Sequence, residues 1–150
     1  MARTLDDVAR FVAAERGLAT LATLRADGTA QLTLVNAGLL DHPVTRRPVA
    51  ALVALGGALK LTHLRARPWA ALSWRHGLDW VTVEGEADLA GPDDDLPGLD
   101  PGALPRLLRD VFTGAGGTHD DWDTYDRVMA EERRAAVLDT PTRIFGNPGA

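Results

Sequence analysis

Lys60 is the only lysine in the 150-residue chain, and it lies three positions after the glycine pair Gly56-Gly57. Glycine lets the backbone turn sharply and approach a ligand closely, and the first turn of a helix presents N–H groups without intrahelical partners. A helix that begins after this pair would place a full positive charge beside those N–H groups, an arrangement that suits phosphate. The segment has neither Walker A nor G-x-G-x-x-G spacing. A helix with a solvent-facing lysine is therefore the alternative.

Other residues around Lys60 are candidates for the same site. His63 and Arg67 follow it on one side of the predicted helix, where they would add hydrogen bonds and charge. Leu55 and Leu59 lie just before and just after the Gly56-Gly57 turn, and we predict that they contact the ligand bound there. The predicted helix covers residues 58–67 and ends before Pro68, because proline disfavours helical geometry in the residue that precedes it.

The other side chains that could carry chemistry argue against hydrolysis and metal catalysis. The only serine lies outside a G-x-S-x-G motif, and cysteine is absent. The four histidines form no H-x-x-x-H or H-E-x-x-H pair, so we predict no metal site. Two acidic or mixed runs, residues 93–95 and 131–134, are predicted to be a solvated loop and a solvated helix face.

Composition narrows the range of partners and compartments. A net charge of −5 and a pI near 5.3 would repel a phosphate backbone, so nucleic acid is not expected as a partner. No apolar run approaches the ~20 residues of a membrane span, and charges interrupt the apolar residues of the N-terminal segment. We expect one cytoplasmic domain over residues 1–150, with no membrane association.

The pattern of elements predicts a mainly antiparallel β-barrel with helical decorations. Thr4 with Asp7 would cap a first helix, and Asp27-Gly28 is a strong hairpin signal. A central strand precedes the short lysine helix, and a second hairpin follows it. Helices then begin near Ala103 and at a cap formed by Thr118 with Asp121, before a last strand over residues 135–146.

The tryptophans can be assigned to faces from the alternation in the second hairpin. Val81 and Val83 mark the buried face, so Trp80 projects to the polar side with its neighbour Thr82. An indole there is costly unless it is covered, and we expect a ligand or a second subunit to cover it. Trp74 alternates with small apolar residues and is predicted to lie in the core.

Three segments together resemble the split β-barrel flavin and deazaflavin oxidoreductases, the pyridoxamine-phosphate-oxidase-like superfamily. They are "LATLRADGTAQLTLVN", "ALVALGGALKLTHLRARPWAALSW" and "DWVTVEGEADL", with "PTRIFG" similar to the closing strand. The most specific element is the lysine helix with a Leu-Arg-x-x-Pro ending, formed here by Lys60, Leu64, Arg65 and Pro68. Within the superfamily, the chain resembles most the actinobacterial branch that uses coenzyme F420.

The resemblance implies an FMN-binding split β-barrel that forms a homodimer, with two cofactor sites at the subunit interface and the cofactor phosphate held by Lys60. Branch members usually carry further basic residues where this chain has Ala58 and Thr62. FMN, with its compact phosphate, is therefore an alternative to F420 with its long anionic tail. The residues expected to line the cofactor slot are Thr33, Val35, Asn36 and Trp80.

The activity implied is hydride transfer between F420, or FMN, and a small unsaturated organic substrate. Such chemistry belongs largely to the cofactor, so it needs no acid, base or nucleophile from the chain, and we assign no catalytic residue. The arginine and serine cluster of a true pyridoxamine-phosphate oxidase is missing. The alternative is a non-catalytic protein that binds flavin, F420 or haem in the same barrel. The helices within residues 103–134 are candidates for capping the site.

Overall fold

The structure, a computed structural model, describes residues 3–147 and consists of six strands and four α-helices. The strands are β1 (Leu18–Leu24), β2 (Ala30–Asp41), β3 (Pro48–Ala54), β4 (Trp69–His76), β5 (Asp79–Ala90) and β6 (Ala135–Gly146). The helices are α1 (Leu5–Glu15), α2 (Leu59–Ala66), α3 (Leu104–Gly114) and α4 (Trp122–Glu131), with a 3-10 turn at Pro101–Ala103. The strands pair antiparallel and close in the order β1-β2-β3-β6-β5-β4, which confirms the predicted barrel.

Local signals in the sequence set several of these boundaries. Thr4 caps α1, and the Asp7 carboxylate accepts the Thr4 N–H at 2.8 Å, which completes the predicted capping box. The β1–β2 hairpin turns at Gly28, whose φ of +84° favours glycine. The α4 prediction is wrong in one detail: the helix is capped by Asp121 alone, which accepts the Thr124 N–H at 3.1 Å, and Thr118 takes no part in the cap.

The barrel interior forms the main core. Trp74 is fully buried there, as predicted, and its indole N–H donates to the carbonyl of Ala37 at 3.0 Å. Helix α1 contributes Val8, Phe11 and Val12 to this cluster. A second cluster lies outside the barrel, where β3 and β6 pack on α3 and α4; its buried members include Val49, Ala51, Leu107, Leu108, Val111, Tyr125, Ala136 and Leu138. None of the helices within residues 3–147 is long and apolar enough to cross a membrane.

Strands β2 and β3 separate at one end of the barrel. Residues 30–36 of β2 pair with β1, whereas only residues 37–41 pair with β3. Beyond the Ala37–Leu52 pair, Val53 and Ala54 of β3 pair with β6 alone. Within residues 3–147 no strand occupies the two facing edges, so a gap opens between β2 and β3. Unpaired backbone N–H and C=O groups at such edges need water or a ligand as partner.

Close backbone packing at Gly38 holds α3 against the barrel, and Gly38→Ala tests it. A Cβ at this position would lie 2.0 Å from the carbonyl oxygen of Gly114, so α3 would have to move away from β2. We expect a loss of about 1–3 kcal/mol in the free energy of unfolding, measured by urea denaturation. The control is Gly102→Ala, whose Cβ would meet its nearest atom at an ordinary 3.6 Å. Equal stability of the two variants would contradict this packing.

Candidate functional site

A cavity of about 390 Å³ opens at the gap between β2 and β3. The barrel supplies one side of the cavity, while α3 and α4 supply the other. The lining residues are Leu34, Val35, Asn36, Val53, Ala54, Leu55, Lys60, Val111, Phe112, Ala115, Tyr125, Met129 and Arg134. Apolar residues outnumber polar ones in the lining, which also includes two cations, one amide and one phenol, a composition typical of small-molecule and cofactor sites.

The two cations in the lining, Lys60 and Arg134, come from distant parts of the sequence. Arg134 is the residue before β6, and its Nε donates to the carboxylate of Glu132 at 3.0 Å. No carboxylate in residues 3–147 lies within 4 Å of the Lys60 ammonium. Partial burial lowers the pKa of Lys60, and the positive charge of Arg134 lowers it further. An anion bound in the cavity would relieve both effects.

The Gly56-Gly57 turn brings these cations together. The Gly56 N–H donates to the carbonyl of Glu132 at 3.1 Å, and a Cβ on Gly56 would lie 2.5 Å from the carbonyl oxygen of Arg133. Gly57 has a φ of +80°, which glycine adopts readily. Only glycine at position 56 therefore allows the segment before β6 to pack directly on the turn that leads to Lys60.

The start of α2 also offers unpaired donors. Ala58 is the N-cap residue and provides no side-chain cap, and the first turn contains no acidic residue. The first N–H groups of a helix lack intrahelical acceptors, so those of Leu59 and Lys60 are available to an anion. The α2 start is thus consistent with the predicted phosphate cradle, now with Arg134 as a second charge.

Helices α3 and α4 form a packed apolar wall opposite the cations. The rings of Phe112 and Tyr125 are 5.1 Å apart, and the Tyr125 hydroxyl donates to the carbonyl of Leu108 at 3.0 Å. Burial raises the pKa of Tyr125 to about 12, so it stays neutral. Arg109 lies 5.3 Å from the Trp122 ring and donates from Nε to Asp126 at 2.9 Å, which ties the two helices together.

The structure brings together some of the predicted site residues. Four of them line the cavity at the β2–β3 gap: Lys60, Leu55, Val35 and Asn36. Gly56 and Gly57 form the turn beside it. Leu59 is 61% exposed and, like Thr33, is not part of the lining.

Two of the predicted residues, His63 of α2 and Arg67 at its C-cap, lie outside the cavity lining. The His63 ring nitrogen Nδ1 is 3.0 Å from the hydroxyl of buried Thr23, and Arg67 donates from Nε to the carbonyl of Leu24 at 3.0 Å. Both side chains therefore tie α2 to the end of β1. The predicted grouping of His63 and Arg67 with Lys60 is not observed, because these contacts direct their polar atoms to β1.

Trp80 is also outside the cavity. It is half-buried on the polar side of β5, as the alternation predicts, while Val81 and Val83 are fully buried. The expected cover of Trp80 by a ligand or a second subunit stays a prediction; within the subunit, Phe145 of β6 already packs edge-on against it, with ring centroids 5.8 Å apart. The alternation of side chains along a strand identifies the face on which a residue lies, but not which residue of the adjoining strand packs against it.

Sequence reasoning anticipated that helices within residues 103–134 could cap the site, and α3 and α4 do line the cavity, but it missed Arg134. The run 131–134 was predicted to be a solvated helix face, but α4 ends at Glu131 and Arg133 has a φ of +51°. This left-handed residue turns the chain toward β6, so Arg134 leaves the helix face. The Arg133-Arg134 pair just before a strand was the only available signal.

Searches of known structures identify the fold. Rv2991, a conserved hypothetical protein from Mycobacterium tuberculosis, is 22% identical with a TM-score of 0.67, over 97% of this chain and 85% of that one. A pyridoxamine 5'-phosphate oxidase-related, FMN binding protein from Nostoc punctiforme is 11% identical with a TM-score of 0.64, over 97% and 86%. A protein described as F420 reductase is 15% identical with a TM-score of 0.61, over 97% and 98%.

Other matching structures include a heme binding protein from Mycobacterium smegmatis, of which this chain covers 56%, and a heme storage protein from Vibrio cholerae. No protein-family profile matches the chain, and no curated protein matches it significantly. At these identities the shared feature is the fold: an antiparallel split barrel of the FMN-binding type, whose members include F420 reductases, FMN binders and haem binders.

Proposed function

We propose that the chain is an oxidoreductase that uses F420 or FMN to transfer a hydride to or from a small unsaturated organic substrate. The observation that carries this proposal is the cavity at the β2–β3 gap, which is lined by Arg134, by Lys60, for which residues 3–147 provide no carboxylate partner, and by mostly apolar residues. A group that is planar and apolar over most of its surface and anionic at one end fits such a site. Both cofactors have this character.

Each part of the cavity has a role in this proposal. Lys60, Arg134 and the first N–H groups of α2 hold the phosphate, because charge-assisted hydrogen bonds are the strongest available to it. Val35 and Asn36 on the open edge of β2 orient the ring system. Phe112 and Met129 exclude water from it. The bound cofactor supplies the hydride chemistry, and the chain provides orientation rather than an acid or base.

We also propose a homodimer with the cofactor sites at its interface. Leu32 and Leu34 on the outer face of β2 are 65% and 71% exposed, and Leu18 on neighbouring β1 is 44% exposed. Leu34 lines the cavity as well, so a second subunit on this face would complete the site. Light scattering after size exclusion tests this proposal: Leu32→Asp should shift the mass from dimer to monomer, and a monomeric wild type would refute it.

The test of function begins with binding. The purified protein is titrated with FMN, with F420 and with riboflavin, which lacks the phosphate, and binding is followed by fluorescence. We expect micromolar or tighter binding of at least one phosphorylated cofactor and weaker binding of riboflavin. The reduced complex is then mixed with a cyclic enone, and loss of the reduced cofactor spectrum measures turnover. If neither phosphorylated cofactor binds at micromolar concentration, the proposal is wrong.

The second candidate is a non-catalytic flavin or deazaflavin carrier. The lining favours this candidate, because apart from the two cations none of its described residues offers a side chain that is free to act as an acid or a base. The Tyr125 hydroxyl is already bonded. A haem carrier has less support, because the described residues of the lining include no histidine and the tyrosine hydroxyl among them is already bonded to a backbone carbonyl. Tight cofactor binding without turnover of any activated alkene would identify the carrier.

A further inference from the structure

Four charged residues from three separate segments of the chain pair with one another. Arg65 of α2 donates from Nε and Nη2 to the two carboxylate oxygens of Asp94, both at 2.7 Å. Arg133 donates from Nε to Asp93 at 3.2 Å. The bond to Arg133 lowers the pKa of Asp93, and the charge of Arg65 contributes to the same shift. The two arginines and two aspartates therefore form one network.

This network adjoins the turn that positions Lys60. Arg65 lies on the same short helix as Lys60, and the backbone and Cβ of Arg133 are the atoms that a side chain on Gly56 would meet. The aspartates come from the loop that follows β5. The loop thus pairs two negative charges with an arginine of the lysine helix and with the arginine that packs on the Gly56-Gly57 turn.

Pairing changes what these arginines can bind. An arginine whose guanidinium is shared with a carboxylate contributes little attraction to a second anion, because the pair is nearly neutral at a distance. Arg134 lines the cavity and donates to Glu132 through Nε alone, so its terminal nitrogens can still meet an anion there, whereas Arg67 is bonded to a backbone carbonyl. Unlike Arg65, Arg67, Arg133 and Arg134, Lys60 has no side-chain hydrogen-bond or ion-pair partner within residues 3–147.

We propose that the Asp93–Asp94 loop limits this site to recognition of one compact anionic group, a single phosphate. The inference rests on the proposed function. F420 carries an oligoglutamate tail beyond its phosphate, with a carboxylate on each residue, and such a tail gains affinity only where uncompensated cations lie nearby. Here Asp93 and Asp94 neutralise those cations. F420 is therefore held through its phosphate, as FMN is, and the tail adds nothing.

The experiment measures dissociation constants for FMN and for F420 with short and with long glutamate tails, at low and at moderate ionic strength. For the wild type we expect the same affinity for both tail lengths, within twofold. The double variant Asp93→Asn with Asp94→Asn frees Arg65 and Arg133. It should bind the long-tailed F420 about two- to fivefold more tightly than the wild type does at low salt. Its affinity for FMN should change by less than twofold.

The control is Asp95→Asn, which removes a charge from the same loop but from an exposed side chain that forms no ion pair within the described chain. We expect it to show no preference for tail length. A wild type that binds long-tailed F420 more tightly than short-tailed F420 would overturn the inference and leave the proposed function intact. Failure of FMN and of both forms of F420 to bind would overturn both.

Discussion

Lys60→Ala is expected to weaken binding of the phosphorylated cofactor by roughly 10- to 100-fold, because a charge-assisted phosphate contact contributes about 1.5–3 kcal/mol. Lys60 is the cation in the cavity without a carboxylate partner among residues 3–147, so no local pair shares its charge with the ligand. Isothermal titration with FMN and F420 measures the effect. Lys60→Arg keeps the charge and should recover part of the affinity.

Two controls separate this effect from general ones. Arg127→Ala removes a positive charge from the exposed surface of α4, outside the cavity, and should change affinity by less than twofold. Unfolding of Lys60→Ala should need as much urea as unfolding of the wild type, because burial and Arg134 already disfavour the charged lysine in the folded protein. An unchanged dissociation constant would show that Lys60 does not contact the phosphate.

The pH dependence of binding has a definite sign. Because burial and Arg134 lower the pKa of Lys60, its charge in the free protein is lost at a lower pH than for an ordinary lysine. The affinity for phosphate should therefore fall as pH rises through that lowered pKa. Lys60→Arg should remove this decline, since arginine remains charged.

Asp139→Asn is expected to abolish a large pH dependence of stability. Asp139 is fully buried, and neither carboxylate oxygen has a hydrogen-bond partner within the described residues. Gly85 leaves the room for it, since a Cβ there would lie 2.6 Å from the Asp139 carboxylate. Burial, together with the negative charge of Glu84, raises the pKa of Asp139 to about 8.

The sign of the effect follows from the two protonation states. Between pH 4 and 8 the folded protein keeps a proton on Asp139 that the unfolded chain, with an ordinary pKa of 3.8, releases. This stabilisation is complete below the unfolded pKa and is lost as pH rises through the folded pKa of about 8. At about 1.4 kcal/mol for each pH unit in which only the folded state holds the proton, the loss between roughly pH 5 and 8 is on the order of 4 kcal/mol.

Urea denaturation of the wild type and of Asp139→Asn, at several values between roughly pH 5 and 8, measures the difference. The asparagine has its own cost in a buried site, but that cost does not depend on pH. We expect the free energy of unfolding of the variant, relative to that of the wild type, to increase steadily as pH rises. Asp120→Asn, at a fully exposed position, is the control and should follow the wild type. A constant difference between Asp139→Asn and wild type across this range would show that Asp139 titrates normally.

The sequence alone determined the elements of this protein, since the signals that set them are local. The capping box at Thr4, the turn at Gly28 and the alternation around Trp80 each involve residues within a few positions of one another. Their physical basis is hydrogen bonding and sterics of neighbouring residues, which the order of amino acids specifies directly. The same holds for the helix after Gly56-Gly57, and hence for the position of Lys60 at its first turn.

Only the tertiary structure decided what surrounds Lys60. Arg134 and the wall containing Phe112 lie far away in sequence and reach the cavity because β6 pairs beside β3 and α3 packs on the barrel. The burial of Asp139 has the same origin, since it depends on a bulge near Gly85 in the neighbouring strand. Such contacts depend on strand order and helix packing, which periodicity does not encode. The sequence thus specified a cation on a glycine turn, and the fold supplied its second charge, its apolar wall and its open strand edge.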